Sequence, residues 1–323
     1  MRTSPRPHLR RWNIGVGVIF CVAGMHCAAP LPKRARPDIP LTDAELAELW
    51  VEPRDADQRD LYHGIGGPNL APAANVPYDF VSEKKVFRSF SPGYTVRDAH
   101  GTEWLVKLGA EVRAEVLASR LIWAAGYHQP PMYYVERWQM LRDGKLEVEP
   151  PAHFQPKLAH YTRKDGWSWQ NNPFVGTRCF QGLIVLMLMI NNWDLTDDNN
   201  AIFDLVDHWD GTRRWYVVRD VGASFSRNRG AWRQGTRGDL EGFAGERFID
   251  GIRDGKVVFA WSGRHQNLIQ DITPDDVRWI AQRLTILTPM QWADALRAAG
   301  YSAEEAALIH SKLAERIAQA LQL

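Results

Sequence analysis

Residues 183–190 read Leu-Ile-Val-Leu-Met-Leu-Met-Ile, eight consecutive apolar side chains. A helix that is apolar all round must be enclosed by protein or by lipid. At about 1.5 Å per residue the run is only about 12 Å long, far short of the ~30 Å of a hydrocarbon layer. It therefore predicts a helix buried on every side, and the rest of the chain must supply the surrounding core. A chain of 323 residues, 45% hydrophobic and holding 14 tryptophans, has the material for one. The 24% of charged residues is ordinary for a globular protein and excludes a disordered or a polytopic membrane chain.

Local signals place the elements around that helix. Tyr94-Thr95-Val96-Arg97 and Glu103-Trp104-Leu105-Val106-Lys107-Leu108 are β-prone runs on either side of Asp98-Ala99-His100-Gly101, which reads as a hairpin. Over 110–125, Val112, Val116, Leu117, Leu121 and Ala124 recur at helical spacing, and Gly126 ends the pattern. Residues 132–138 read as another strand. Beyond the buried helix, 201–206 and 214–219 form a second hairpin around Asp210-Gly211. Thr273 before Pro274, Thr288 before Pro289, and Ser302 with Glu305 start three capped helices in the tail. Thr42 and Asp43 cap a short helix over 42–50 in a Pro- and Ala-rich stretch, 30–77. Within it, Gly64-Ile65-Gly66-Gly67-Pro68 lacks the Lys-Ser/Thr of a phosphate loop and reads as a linker or strap.

The net charge of +1 hides an asymmetry. Residues 1–37 carry seven basic residues and no acid, which leaves 32 basic against 38 acidic in the remainder. A mildly acidic body is a poor partner for nucleic acid. Arg10-Arg11, the apolar run 14–25 and the small residues Ala28-Ala29 follow the order of an export signal, so 1–29 reads as a signal peptide or membrane anchor. Cleavage, lipidation at Cys27 and retention as an anchor all stay open, as does a weak twin-arginine signal. The expected location is exported, periplasmic or membrane-tethered. Of three cysteines, only Cys179 lies in the body, so no internal disulfide forms there, and it reads as a buried structural thiol.

Four features then fall in a fixed order: Lys107 at the end of a strand, Glu115 on the next helix, Asp194 and Asn199 after the buried helix, and Asp220-Val221-Gly222 after the second hairpin. Each suits phosphoryl transfer. A strand lysine grips nucleotide phosphates and a helix glutamate orients it. One aspartate accepts a hydroxyl proton, while an asparagine and a second aspartate hold Mg²⁺. Glu111 is an alternative to Glu115, and Asn200 to Asn199. Convergence of Asp194, Asp197, Asp198 and Asp220 would itself call for a cation.

This order resembles the protein-kinase-like superfamily in its atypical branches: HipA-type toxin kinases, phosphatidylinositol kinases and secretory-pathway kinases. Val106-Lys107 resembles the phosphate-contacting lysine, and Glu115 with Arg120-Leu121 and Ala125-Gly126 the E-x4-RL…AG helix of HipA-type enzymes. Asp194-x4-Asn199 has catalytic-loop spacing, and Asp220-Val221-Gly222 resembles the DFG metal-binding turn. In place of a glycine-rich loop stands Ser89-Phe90-Ser91-Pro92-Gly93-Tyr94, where Gly93 is the nucleotide-loop glycine, and Asn192-Trp193 replaces the His-Arg before the catalytic aspartate. The resemblance implies an α+β, two-lobed fold. A small antiparallel sheet with one helix would span 78–136, and a larger, mostly helical lobe 137–323. It also implies ATP and Mg²⁺, a γ-phosphoryl transfer, and a hydroxyl acceptor that is a protein, lipid, sugar or small molecule.

Two other classes compete: an inactive kinase-like binding module of the cell envelope, and a carbohydrate-acting enzyme using Asp194 with Asp197 or Asp198. No Gly-x-Ser-x-Gly or Cys-x2-Cys occurs, and His100, His128, His153, His160 and His208 lack metal-ligand spacing. Trp167, Trp169 and Trp193 read as packing residues. The arginines of 227–237 (Arg227, Arg229, Arg233, Arg237) sit where a kinase has its activation segment, and read either as a site for an acidic group or as a solvated loop.

Overall fold

A computed structural model describes residues 33–34, 40–73, 75–83, 91–206, 211–228 and 237–323. The leader 1–29 with Cys27, and also Ser89, Phe90, His208, Arg229 and Arg233, lie outside the described residues.

A short strand β1 (Lys33–Arg34) and helix α1 (Asp43–Ala47) open the chain. The Thr42 cap and its Glu45 partner are present, but the helix ends three residues before the expected limit at Trp50. The strands β2 (Pro77–Glu83), β3 (Gly93–Arg97) and β4 (Glu103–Leu108) lead into α2 (Val112–Ala124). The β3–β4 hairpin turns as expected, because Asp98 Oδ1 accepts the N–H of His100 and of Thr102 at 2.9 Å each, with Gly101 at φ 85°. Then come β5 (Tyr133–Val135), β6 (Trp138–Arg142), β7 (Lys145–Glu149) and β8 (Ala152–Pro156).

Seven strands form one curled sheet in the order β5-β8-β4-β3-β2-β6-β7. It is larger than the sequence predicts. Strands β6 to β8 carry it past Glu136 to Pro156, inside the stretch expected to be helical, and β2 pairs with β6 in parallel rather than antiparallel fashion. Two physical reasons hid these strands. The β7 edge has no buried face, leaving Leu146 and Val148 exposed. The β8 strand is buried on both faces although its sequence, Ala-His-Phe-Gln-Pro, shows no apolar run. Tyr78, Trp104, Trp138 and Phe154 share one buried cluster on the sheet, with Trp138 and Phe154 at 5.1 Å edge to face.

The chain continues through β9 (Tyr161–Asp165), β10 (Asn171–Asn172) and α3 (Arg178–Met189), the enclosed helix. All of its residues except Arg178 and Gln181 are buried. Strands β11 (Asn200–Leu205) and β12 (Arg214–Val218) make the second hairpin, and β9 joins it as a third strand in the order β12-β11-β9. Helix α4 (Leu240–Gly245) and a hairpin not read from the sequence, β13 (Ile249–Arg253) with β14 (Lys256–Phe259), precede the tail helices α5 (Pro274–Thr285), α6 (Pro289–Ala298) and α7 (Ala303–Leu321). Their expected caps Thr273, Thr288 and Ser302 are all formed as reciprocal capping boxes. Helices α2, α3, α5, α6 and α7 share the largest core, which meets the α3 run from all sides. No described helix is long and apolar enough to cross a membrane.

Candidate functional site

Lys107 sits near the end of β4, opposite Gly93 on β3 and His153 on β8. The chain turns at once into α2, so Glu111 and Glu115, four residues apart, lie on one helical face above it. The Lys107 Nζ is 2.8 Å from Glu111 Oε1 and 3.0 Å from Glu115 Oε2, and it also pairs with Asp220 Oδ1. An ammonium has three N–H donors, and three carboxylates take them. Lys107 is only 9% exposed. Burial works against its charge, but Glu115, Asp220 and Glu111 outweigh that and hold its pKa well above the ordinary lysine value. Burial likewise favours a neutral Glu115, yet Lys107 and His153 hold its pKa far below the usual carboxylate range. The expected choice between Glu111 and Glu115 thus becomes a pair acting on one lysine.

Asp220 arrives from the other end of the chain. It stands two residues past the end of β12 in a left-handed conformation, φ 51°, which aspartate tolerates better than most residues. Gly222 follows with its backbone against the start of α2. A Cβ there would come within 2.7 Å of Glu111 Cβ, so the turn needs glycine. Phe225 then donates its N–H to Ile190 O at 2.8 Å, tying the turn to the end of α3.

The Asp194 loop starts where α3 stops. Asn191, at φ 57°, donates through Nδ2 to Ser226 O at 2.7 Å. Asn192 Oδ1 accepts the Asp194 N–H at 3.1 Å. The Asp194 carboxylate accepts from Thr196 Oγ1 at 2.6 Å and pairs with Arg264 Nε at 3.0 Å. Asn199 Nδ2 donates to Asp194 O at 3.3 Å, and the Asn199 carbonyl accepts the Arg219 N–H at 3.0 Å. The β11–β12 register pairs Asn200 with Val218, so Asn199 stands beside the residue preceding Asp220. Asn200 points elsewhere: it is fully buried and donates to Trp167 O at 3.0 Å. Lys107, Glu115 and Asp220 thus form one cluster and Asn199 and Asp194 another, joined through the backbone bond from Arg219, the residue before Asp220, to Asn199 O.

Gly93 lies in the same register as Lys107, and a Cβ there would collide with Val106 O. Its first structural demand is thus a close strand approach. The four aspartates do not gather on one point: among the described residues no three His, Cys, Asp or Glu side chains form a metal-sized group. Protein cations answer their charges instead, Lys107 at Asp220 and Arg264 at Asp194. Asp197 Oδ1 accepts the Trp169 N–H at 2.9 Å and lies 3.8 Å from His265.

Two site residues, His153 and Arg264, escaped the sequence reading, while Ser91 and Arg237 stand in stretches it singled out only as wholes. His153 Nδ1 is 3.1 Å from Glu115 Oε2, and Ser91 Oγ donates to Glu111. Arg237 pairs with Glu111 Oε2 and lies over the Trp193 ring at 5.7 Å. Arg264 holds Asp194 from a bend after β14. His153 and Arg264 come from segments whose local sequence carries no site signal. Trp167, Trp169 and Trp193 are buried, as is Cys179, whose thiol burial pushes up in pKa.

No protein-family model and no curated protein matches this chain. Among solved structures, the crystal structure of a Helicobacter pylori proinflammatory kinase, CtkA, aligns with 76% of this chain and 97% of its own length, at 12% identity and a TM-score of 0.42. At that level the similarity fixes neither fold nor activity for the chain.

Proposed function

We propose that the chain is a kinase-like phosphotransferase with two lobes, which moves the γ-phosphoryl group of ATP to a hydroxyl acceptor with Mg²⁺. The observation that supports this reading is the meeting of Lys107, Glu115 and Asp220 from three separated stretches, with the Asn199–Asp194 loop tied to the residue before Asp220 by the Arg219 N–H. In it the acceptor oxygen bonds to the γ-phosphorus as the bond to the ADP oxygen breaks, and the hydroxyl proton passes to Asp194. Glu115 and His153 fix Lys107, whose ammonium steadies the phosphates.

Mg²⁺ takes one or two protein oxygens and leaves its other positions to phosphate and water. The oxygen-donor pair of Asn199 and Asp220 fits that habit. The Asn199 amide nitrogen is spent on Asp194 O, which leaves its Oδ1 as the donor. When bound, the cation would offset charge on the phosphates. The Asp220 side chain is 48% exposed, against 4% for Glu111 and Glu115, so it is the carboxylate Lys107 would release to free an N–H for phosphate. Export or membrane tethering through residues 1–29 belongs to the same proposal, and the acceptor class is open.

A binding-only module is the second reading, favoured by the saturation of Lys107 by three carboxylates. Calorimetry with a non-hydrolysable ATP analogue separates the two. Phosphotransfer expects Mg²⁺-dependent binding, lost in Asp220→Ala and kept in Asp194→Ala, with transfer of labelled phosphate absent in both. No metal-dependent binding in the wild type would sink it.

A further inference from the structure

Helix α1 and strand β12 meet at a backbone bond, in which Tyr216 donates its N–H to Glu48 O at 2.9 Å. Strand alternation puts Arg214 and Tyr216 on one face of β12 and Trp215 and Val217 on the other. Tyr216 accordingly joins the largest core, while Trp215 and Val217 belong to a separate cluster. Beside α1 and β12 lies a cavity of about 370 Å³. Its walls include Glu45 on α1, Glu48 just past the end of α1, and Arg213 and Arg214 at the start of β12. Phe174 and Tyr216 complete them, their rings edge to face at 4.8 Å. No residue of the Lys107 cluster or of the Asp194 loop lines it.

The charges in these walls satisfy one another poorly. Glu45 turns its Oε2 back to the cap of α1, where it accepts the Thr42 N–H at 2.9 Å. Among the described residues Glu48 pairs only with Arg214 Nε, at 3.6 Å, which is beyond hydrogen-bond length. That Nε is buried and has no acceptor. Arg213 is exposed, and no side-chain hydrogen bond or ion pair among the described residues engages it. Burial lifts the Glu48 pKa above the ordinary carboxylate value, and Arg214 and Arg213 offset only part of that rise. Unmet charges of both signs therefore face one cavity, beside two aromatic rings.

A carboxylate and a guanidinium 3.6 Å apart complement a ligand whose ammonium and carboxylate are about as close. An α-amino acid carries both groups on one carbon. The cavity has room for its side chain as well, and the Phe174 and Tyr216 rings suit an apolar one. We propose that the cavity beside α1 and β12 binds a free α-amino acid with an apolar side chain. Glu48 takes the ammonium, Arg213 and Arg214 take the carboxylate, and the two rings take the side chain. The site needs neither nucleotide nor metal, so it stands or falls apart from phosphotransfer.

The test is calorimetric titration of the full chain with L-phenylalanine, without Mg²⁺ or nucleotide. Wild type is expected to bind it about tenfold more tightly than Glu48→Gln, Arg213→Gln and Arg214→Gln do, since each variant loses a charged hydrogen-bond partner. Exposed Arg253→Gln, far along the chain, is expected to match wild type. Three probes each lack one recognised group: 2-phenylethylamine the carboxylate, 3-phenylpropionate the ammonium, and glycine the apolar side chain. All three are expected to bind more weakly than L-phenylalanine. Arg213 is exposed, so its variant carries the test even where Glu48→Gln or Arg214→Gln fails to fold. Absence of L-phenylalanine binding in wild type overturns the proposal, and so does equal affinity in wild type and Arg213→Gln. Any of the three probes binding as tightly as L-phenylalanine overturns it too. A protein that binds L-phenylalanine but no Mg²⁺-nucleotide keeps this site and loses the phosphotransfer reading.

Discussion

Lys107 and Arg316 are both cations taken out of water, and they are held in opposite ways. Arg316, on α7, is fully buried and donates to backbone carbonyls: Met189 O at 2.8 Å, Leu188 O at 3.2 Å and Glu246 O at 3.4 Å. It also lies over the Phe243 ring at 4.7 Å. Burial lowers its pKa to about 10. Arg120 follows the same plan, donating to His63 O and Met132 O, and burial brings it to about 10 as well. Lys107 instead meets three carboxylates, and its pKa rises. Carbonyls cannot leave a helix end, so Arg316 clamps the last turn of α3 and so fixes where the Asp194 loop begins. Carboxylates can be recruited away by a cation or repelled by a phosphate. The first arrangement is fit to build a frame, and the second to exchange partners.

Breaking the carboxylate-held site is expected to have the largest effect. Lys107→Met leaves three acids facing one another, and removing one member of a buried ion pair costs about 3–5 kcal/mol. Chemical denaturation should show that loss, and nucleotide binding should vanish with it. If Asp220→Ala in the same protein restores part of the stability, repulsion among the acids is its source. Arg316→Met removes the frame cation and orphans carbonyls at about 1–3 kcal/mol each. A melt should register a drop of about 3 kcal/mol, while a variant that still folds keeps its nucleotide affinity. Loss of affinity without loss of stability would erase the distinction drawn above.

The same contrast recurs one residue apart. Asn200→Ala is expected to cost about 1–2 kcal/mol, because a buried donor and its carbonyl partner are lost. Asn199→Ala should cost less than that and remove Mg²⁺-dependent binding instead. The smallest expected effect is in pH. The folded-state pKa of Glu115 is depressed, so its contribution is complete above the ordinary carboxylate value of about 4.3 and is lost as pH falls through the lower, folded value. Wild-type stability should therefore decline from about pH 4 downward, and Glu115→Gln should flatten that decline. An unchanged slope in the variant would place the acid sensitivity elsewhere.

Much of the frame was legible because its causes are local. The enclosed α3, the β3–β4 turn at Asp98, and the caps at Thr273, Thr288 and Ser302 depend on residues within a few positions. The order of Lys107, Glu115, Asp194, Asn199 and Asp220 was also readable, but their meeting was not. Gly222 packs on Glu111 from more than a hundred residues away, and nothing near it in sequence says so. Strand β8 stayed hidden since His153 and Gln155, polar by type, are buried in the sheet.

The sequence by itself determined that an eight-residue apolar run must be enclosed by core, because no arrangement exposes it without a large hydrophobic cost. It also set which residue types were available for phosphate and cation chemistry. Only the tertiary structure decided that Glu111 and Glu115 share one lysine with Asp220, and that Asn199 rather than Asn200 faces the Asp194 loop. Those outcomes depend on distances between remote segments, where a shift of one strand residue exchanges buried for exposed faces.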